Sequence, residues 1–220
     1  MRTSLRRSIN GLYAITPEES DTAALLRQVR LALQGGATIL QYRNKTGDAA
    51  LRLEQAVALR RLTQKFAVPL IINDDAALAV QVDADGVHLG FDDGSVAAAR
   101  AVLGNEKIIG VSCYNRIALA HQAAAQGADY VAFGAFFVSN IKPEAVSATP
   151  DLLRQARREI ALPIAAIGGI TAENGGSLRD AGADALAVIS ALFGAGDIAH
   201  AAKQFSNLYN PTGMASNHPK

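Results

Sequence analysis

The sequence predicts an α/β protein built as a single (β/α)8 TIM barrel. Three observations carry that expectation. Short aliphatic runs alternate with helix-like stretches about eight times along the chain, the order that a ring of parallel strands with outer helices requires. The stretches Leu31–Ala37, Ala123–Asp129 and Leu178–Asp184 repeat one grammar: a helix end, a glycine, then a small residue entering a strand. Half of the 220 residues are hydrophobic, enough to bury the core of one barrel-sized domain. An open, doubly wound sheet is the rival. Against it, no Gly-x-Gly-x-x-Gly follows the first strand, and the even spacing leaves no second domain.

Leu12–Ile15 opens the barrel and Thr16-Pro17 closes that strand. Asp21 is placed to cap a helix with Leu26, Val29 and Leu33 on one face, ended by Gly35-Gly36. Thr38–Arg43 is strand-like, and Asp48 opens a long helix carrying Leu59, Leu62 and Phe66. Leu70–Ile72 follows, then a helix from about Asp75, then Gly86–Leu89. A helix over Ser95–Leu103 leads to Ile108–Ser112, and the Ala-rich helix 118–126 leads to Tyr130–Phe133. The longest loop, 134–149, precedes a helix over 150–159. Ile164–Ile167, a helix over 172–181, the strand Ala185–Ile189 and a last helix capped by Asp197 complete the ring. The expected domain is residues 11–209, with 1–10 a flexible N-terminus and 210–220 a disordered tail.

Composition excludes several classes. A net charge of +1 points to neither nucleic acid nor membrane surfaces. No apolar run approaches the roughly 20 residues of a membrane span. The basic start lacks the apolar core of a secretory signal. A single cysteine, Cys113, fits a reducing compartment, so the cytoplasm is the expected location. Small-molecule substrates are the expected partners, and assembly into a homo-oligomer stays open.

The chemistry gathers at strand ends, where barrels bind ligands. Gln41, Arg43 and Lys45 are two apart, so a strand reaching that far would present an amide, a guanidinium and an ammonium on one face, suited to a phosphate or diphosphate. Asp74 ends the third strand and Asp93 follows the fourth; both could reach one Mg2+, which takes one or two carboxylates and shares its shell with water and phosphate. Asp75 reads as a helix cap, and Asp92-Asp93 could equally be a solvated acidic loop. His88 should face the interior, as a structural group or a substrate contact. Ser112 has no His and acid at motif spacing, so a Ser nucleophile is not indicated, and Cys113 is expected to pack as a small apolar residue. Lys142, in the long loop, could close as a lid on a phosphate. Gly168-Gly169 and Ile189-Ser190 end the last two strands, where backbone N–H groups often cradle a phosphate. Two unlike anion sites without an evident base suggest displacement of pyrophosphate from one substrate by a second, phosphorylated one.

In family order the chain carries Leu-Tyr-Ala-Ile-Thr at 12–16, Gln-Tyr-Arg-Asn-Lys at 41–45, Ile-Asn-Asp-Asp at 72–75, Asp-Gly-Val-His-Leu-Gly at 85–90, Ile-Gly-Gly-Ile at 167–170 and Val-Ile-Ser-Ala at 188–191. This ordered set resembles the thiamine-phosphate synthases, from about Leu12 to Phe193. The resemblance implies a Mg2+-assisted transferase that joins an aminopyrimidine-methyl diphosphate to a thiazole phosphate, or its carboxylated form, releasing pyrophosphate. It implies that Gln41, Arg43, Lys45 and Asn73 hold the pyrimidine diphosphate and that Asp74 and Asp93 bind one Mg2+. It further implies that Ser112 cradles the diphosphate or the developing cation, that Ser139 and Lys142 cover the phosphates, and that Gly169, Ile189 and Ser190 bind the thiazole phosphate. Arg43, Lys45, Ser112 and Lys142 would carry catalysis. Tyr13 and His88 are candidates for the pyrimidine pocket. The sequence departs from the family pattern at Phe91, where Gln is usual, and at Ile141, where the lid usually offers a hydroxyl. Two other readings are a thiazole tautomerase using His88 as base or acid, and a non-catalytic sensor of thiamine precursors.

Overall fold

Eight short parallel strands, each followed by helix, close on themselves. The computed structural model describes residues 9–90, 94–137 and 148–209. Phe91, Asp92, Asp93, Ser139, Ile141, Lys142 and the expected disordered tail lie outside the described residues. The strands are β1 (Gly11–Ile15), β2 (Ala37–Tyr42), β3 (Leu70–Asn73), β4 (Gly86–Leu89), β5 (Ile108–Ser112), β6 (Tyr130–Phe133), β7 (Ile164–Ile167) and β8 (Ala185–Val188). They pair in sequence order into a closed barrel, β8 returning to β1. The helices between them are α1 (Thr22–Gln34), α2 (Ala49–Phe66), α3 (Ala76–Gln81), α4 (Val96–Leu103), α5 (Ile117–Ala125), α6 (Pro150–Glu159), α7 (Ala172–Asp180), the short α8 (Ser190–Phe193) and α9 (Ile198–Tyr209). None of the described helices is long and apolar enough to cross a membrane.

Alternation along each strand separates two apolar clusters. Leu12, Leu40, Ile72, Val87, Val131 and Leu186 point outward and pack under the helices. Tyr13, Ile39, Ile71, Ile108, Tyr130, Ala165 and Ala187 point inward and fill the barrel. Ile9, assigned by sequence to the flexible terminus, is buried with this inner cluster, so the packed domain begins before β1. The expected caps are present. Asp21 accepts from the Ala23 N–H at 2.8 Å, Asp48 from Leu51 at 2.8 Å, Asp75 from Leu78 at 2.8 Å and Asp197 from His200 at 2.9 Å. Each satisfies an N–H that the first helical turn leaves free.

Two of the three helix–glycine–strand stretches end in a clamp, and a third clamp stands before β4. Asp85, Asp129 and Asp184 stand immediately before β4, β6 and β8. Each carboxylate accepts an N–H at the start of the preceding strand: Leu70 at 2.8 Å, Ile109 at 2.9 Å and Ile164 at 2.7 Å. Each also accepts from an arginine on the helix leading into that strand: Arg60 at 2.7 Å, Arg100 at 2.7 Å and Arg157 at 2.8 Å. One acid thus ties a helix to two strands at the N-terminal rim. Conformity there serves stability and leaves the opposite rim to chemistry.

The Asp129 side chain is fully buried, whereas that of Asp184 is 35% exposed. Asp129→Ala leaves Arg100 and the Ile109 N–H without their shared acceptor, and should lower the unfolding free energy by about 3–5 kcal/mol. Asp184→Ala should cost clearly less, because water can replace the carboxylate. Urea unfolding of both variants checks this; equal losses would show that burial does not set the strength of the clamp.

Candidate active site

At the C-terminal rim, β2 delivers the first candidate group. Gln41 is its last inward residue, 3% exposed, and its Nε2 donates to the Tyr13 hydroxyl at 2.8 Å. The alternation expected to carry Arg43 and Lys45 onto the same face stops here, because β2 ends at Tyr42. The cause is Asn44. Its Oδ1 accepts from the Thr46 and Gly47 N–H groups at 3.2 and 2.7 Å, which curls the chain into a loop. Asn44 Nδ2 and Tyr42 both donate to Gln55 Oε1, at 3.1 and 2.8 Å, pinning that loop to α2. Arg43 and Lys45 therefore reach the mouth from a loop. Arg43 donates to Glu18 at 2.7 Å, and Lys45 Nζ lies 3.4 Å from Asp74 Oδ2. Sequence reading missed Glu18, which also accepts from the Lys45 N–H at 3.0 Å. No local motif marks it; only the closure of β1 against β2 brings it there.

Strand, turn and helix meet at Asn73-Asp74-Asp75. Asn73 ends β3 and donates from Nδ2 to Asp74 Oδ2 at 2.6 Å. Asp74 takes a left-handed backbone, φ 61°, which a short polar side chain tolerates. Its N–H donates to the His88 carbonyl at 2.8 Å, and its Oδ1 lies 3.4 Å from the Gly90 N–H. Asp75 caps α3 and pairs with Arg52 at 2.5 Å, so it is structural as expected. Tyr42, Asn44, Lys45, Arg52, Asn73 and Asp74 line one cleft of about 260 Å³. Among the described residues no three His, Cys, Asp or Glu side chains gather as a metal cage. Asp74 offers hard carboxylate oxygen at the mouth, a donor that suits Mg2+, which needs few protein ligands.

Below the mouth lies a continuous polar chain. Tyr13 and Tyr130 share a hydrogen bond of 2.7 Å, Tyr130 and His88 Nδ1 one of 2.8 Å, and His88 Nε2 and Ser112 Oγ one of 2.9 Å. With Gln41 it links β2, β1, β6, β4 and β5. Tyr13 and His88, the candidates for a pyrimidine pocket, are thus its floor. Burial lowers the His88 pKa from 6.5 to about 4, offset in part by the Asp74 carboxylate. Burial also pushes the Tyr13 and Tyr130 hydroxyls far above their ordinary range. The chain is therefore uncharged near neutral pH. Tyr130 was read only as a strand start. Alternation could pair it with Ala132 but could not say which face looks inward. Cys113 is buried and apolar in its role, with its thiol pushed up to about 12 by burial.

Across the mouth, Gly168 and Gly169 follow β7 with φ 105° and 61°, a backbone that favours glycine. A Cβ on Gly168 would meet that of Ala135 at 2.4 Å. Ile189 and Ser190 follow β8, and Ser190 opens α8. The described candidates thus fall at one rim in two groups: Gln41, Arg43, Lys45, Asn73, Asp74 and Ser112 on one side, Gly169, Ile189 and Ser190 on the other.

Residues 12–192 match the family model described as thiamine monophosphate synthase. The chain belongs to the thiamine monophosphate synthase family. It is 57% identical over 202 residues to a thiamine-phosphate synthase of Methylobacillus flagellatus, covering 92% of this chain and 96% of that one. It is 54% identical over 204 residues to a thiamine-phosphate synthase of Nitrosospira multiformis, covering 93% and 87%. Among solved structures, a thiamine phosphate pyrophosphorylase from Pyrococcus furiosus superposes with a TM-score of 0.84 at 33% identity, covering 94% of this chain and 98% of that one. The match to the family runs from β1 into α8, so it spans both groups of candidate residues.

The neutral His88 has a thermodynamic consequence. An unfolded His takes up a proton near pH 6.5, while the folded one does so only near 4. Between those values the unfolded state binds more protons, so stability rises with pH. Folding stability should fall by on the order of 3 kcal/mol as pH drops from about 6.5 to about 4. Urea midpoints at pH 7 and 4.5 should separate more in the wild type than in His88→Gln. Equal separations would mean that the imidazole is not held neutral.

Proposed function

We propose that this barrel joins an aminopyrimidine-methyl diphosphate to a thiazole phosphate and releases pyrophosphate. The observation that carries the reading is the pairing of two unlike anion sites on one rim. The β2–β3 side is rich in cations and acids; the β7–β8 side is glycine-lined and neutral. A diphosphate leaving group needs charge, and a monophosphate handle needs only N–H donors.

In this reading Arg43 and Lys45 leave Glu18 and Asp74 for the diphosphate. Both ion pairs are partly exposed, and such pairs are worth only roughly 0–1 kcal/mol, so the exchange is inexpensive. Asn73 and Gln41 orient the pyrimidine diphosphate, Ser112 donates to it, and Ser139 and Lys142 cover it. Gly169, Ile189 and Ser190 hold the thiazole phosphate. Asp74 and Asp93 would hold Mg2+, which supplies charge neutralisation for the leaving group. The carbon–oxygen bond breaks with its electron pair leaving on pyrophosphate. The thiazole nitrogen lone pair then forms the new carbon–nitrogen bond. That nitrogen carries no proton, so no general base is required. Positioning and leaving-group electrostatics carry the rate. A tautomerase would need a free base at the site. His88 uses both ring nitrogens within the protein and is neutral.

Incubation of the purified chain with both substrates and Mg2+ should yield thiamine phosphate and one pyrophosphate per turnover. No product with any divalent metal would reject the reading. Asp74→Asn should lower kcat/KM by about a hundredfold or more, as loss of an essential electrostatic group typically does, and raise the Mg2+ concentration needed for half-maximal rate. An unchanged metal dependence would remove Asp74 from the metal site.

A further inference from the structure

The polar chain under the mouth has a direction, and Tyr130 sets it. Gln41 Nε2 is a donor only, so the Tyr13 oxygen accepts from it. Tyr13 must then place its own O–H, and its remaining hydrogen-bond neighbour among the described residues is the Tyr130 oxygen, at 2.7 Å. With that oxygen accepting, the Tyr130 O–H points to His88 Nδ1, 2.8 Å away. A neutral imidazole that accepts at Nδ1 carries its proton on Nε2. That N–H meets Ser112 Oγ at 2.9 Å. The Ser112 oxygen is then an acceptor toward the protein, and its own O–H remains to be donated. Ser112 ends β5 at the mouth and is partly exposed.

Packing enforces the same arrangement. His88, Gly110 and Tyr130 stand in one register across β4, β5 and β6. A Cβ on Gly110 would meet Tyr130 Cζ at 2.0 Å and its hydroxyl oxygen at 2.4 Å. The glycine is the gap through which the phenol reaches the imidazole, and the two rings stack with centroids 5.5 Å apart.

We infer that Tyr130 is a positioning residue: it locks His88 in the Nε2–H form and so turns the Ser112 hydroxyl into a committed hydrogen-bond donor facing the diphosphate. The inference deepens the proposed reaction and rests on it for the identity of the acceptor; the tautomer itself does not. A donor fixed before substrate arrives does not have to reorient as charge develops on the leaving group, which is how fixed dipoles lower a barrier. His88 joins Tyr130 to Ser112, with one ring nitrogen hydrogen-bonded to each.

Two measurements test this on the full chain. In the first, the protein is labelled with 15N-histidine and the His88 signals are assigned by their loss in His88→Gln. The ligand-free wild type should show a protonated Nε2 and a bare Nδ1; a protonated Nδ1 overturns the proposal, whether or not any variant folds. Tyr130→Phe keeps the ring and should remove the strict preference for Nε2–H, and an unaltered spectrum in that folded variant overturns it too. In the second, Tyr130→Phe should lower kcat about tenfold, the size of one hydrogen bond to a charged group, with KM for the thiazole phosphate unchanged. In a Ser112→Ala background the same change should add no further loss. Full additivity would show that Tyr130 does not act through Ser112. A wild type with the Nε2–H form but no turnover rejects the proposed reaction and the catalytic half of this inference, and leaves the tautomer standing.

Discussion

A closed ring of parallel strands points every second side chain at one shared axis, and that small space has to be filled without leaving a polar group unpaired. Here the constraint is met by one crossing: the Tyr130 phenol passes over Gly110 to stack on His88. The crossing consumes the lone pairs and protons of Tyr13, Tyr130 and His88 in a single chain. Below it the interior is aliphatic, with Ile39, Ile71 and Ile108. Above it, Gln41, Asn73 and Ser112 face the mouth. The same side chains that plug the barrel therefore also form the floor of the candidate site, which inherits the rigidity of the core.

The two rims divide the work. At the N-terminal rim three carboxylates each bind a strand N–H and an arginine, so the charges there are spent on holding helices to strands. At the C-terminal rim the ion pairs Arg43–Glu18 and Lys45–Asp74 sit on loops, and both are more exposed than the Arg60–Asp85 and Arg100–Asp129 pairs. Charge that is buried and shared with backbone resists exchange; charge on a wet loop can change partners. The chemically similar Asp129 and Asp74 thus belong to opposite functions, and their surroundings decide which.

The acidic triplet after β3 shows how finely that decision is made. Asn73 still has strand geometry, Asp74 takes the left-handed turn, and Asp75 begins the next helix. The Asn73 and Asp74 side chains meet at the mouth, while that of Asp75 caps α3 and pairs with Arg52. Membership of the thiamine monophosphate synthase family, by a match running from β1 into α8, places the whole rim within one shared scaffold.

By itself the sequence determined the barrel. Short aliphatic runs, helix caps at Asp21, Asp48, Asp75 and Asp197, and glycines after helices are local signals, and each of them is borne out locally. It also placed Gln41, Asn73, Asp74, Ser112, Gly169 and Ser190 at strand ends, because strand ends are where aliphatic runs stop. The remaining features depend on closure of the ring. Glu18 meets Arg43 at a sequence separation of 25, and Tyr13 meets Tyr130 at one of 117; no short-range pattern encodes either. The end of β2 at Tyr42, which takes Arg43 and Lys45 off the strand, comes from Asn44 folding back on its own loop. The aspartates before β4, β6 and β8 gain their role only from the neighbouring strand and helix, which supply the N–H and the arginine that each carboxylate holds. Spacing along a chain fixes which residues share a face, but a barrel's chemistry arises between faces, and those meet only when the ring has closed.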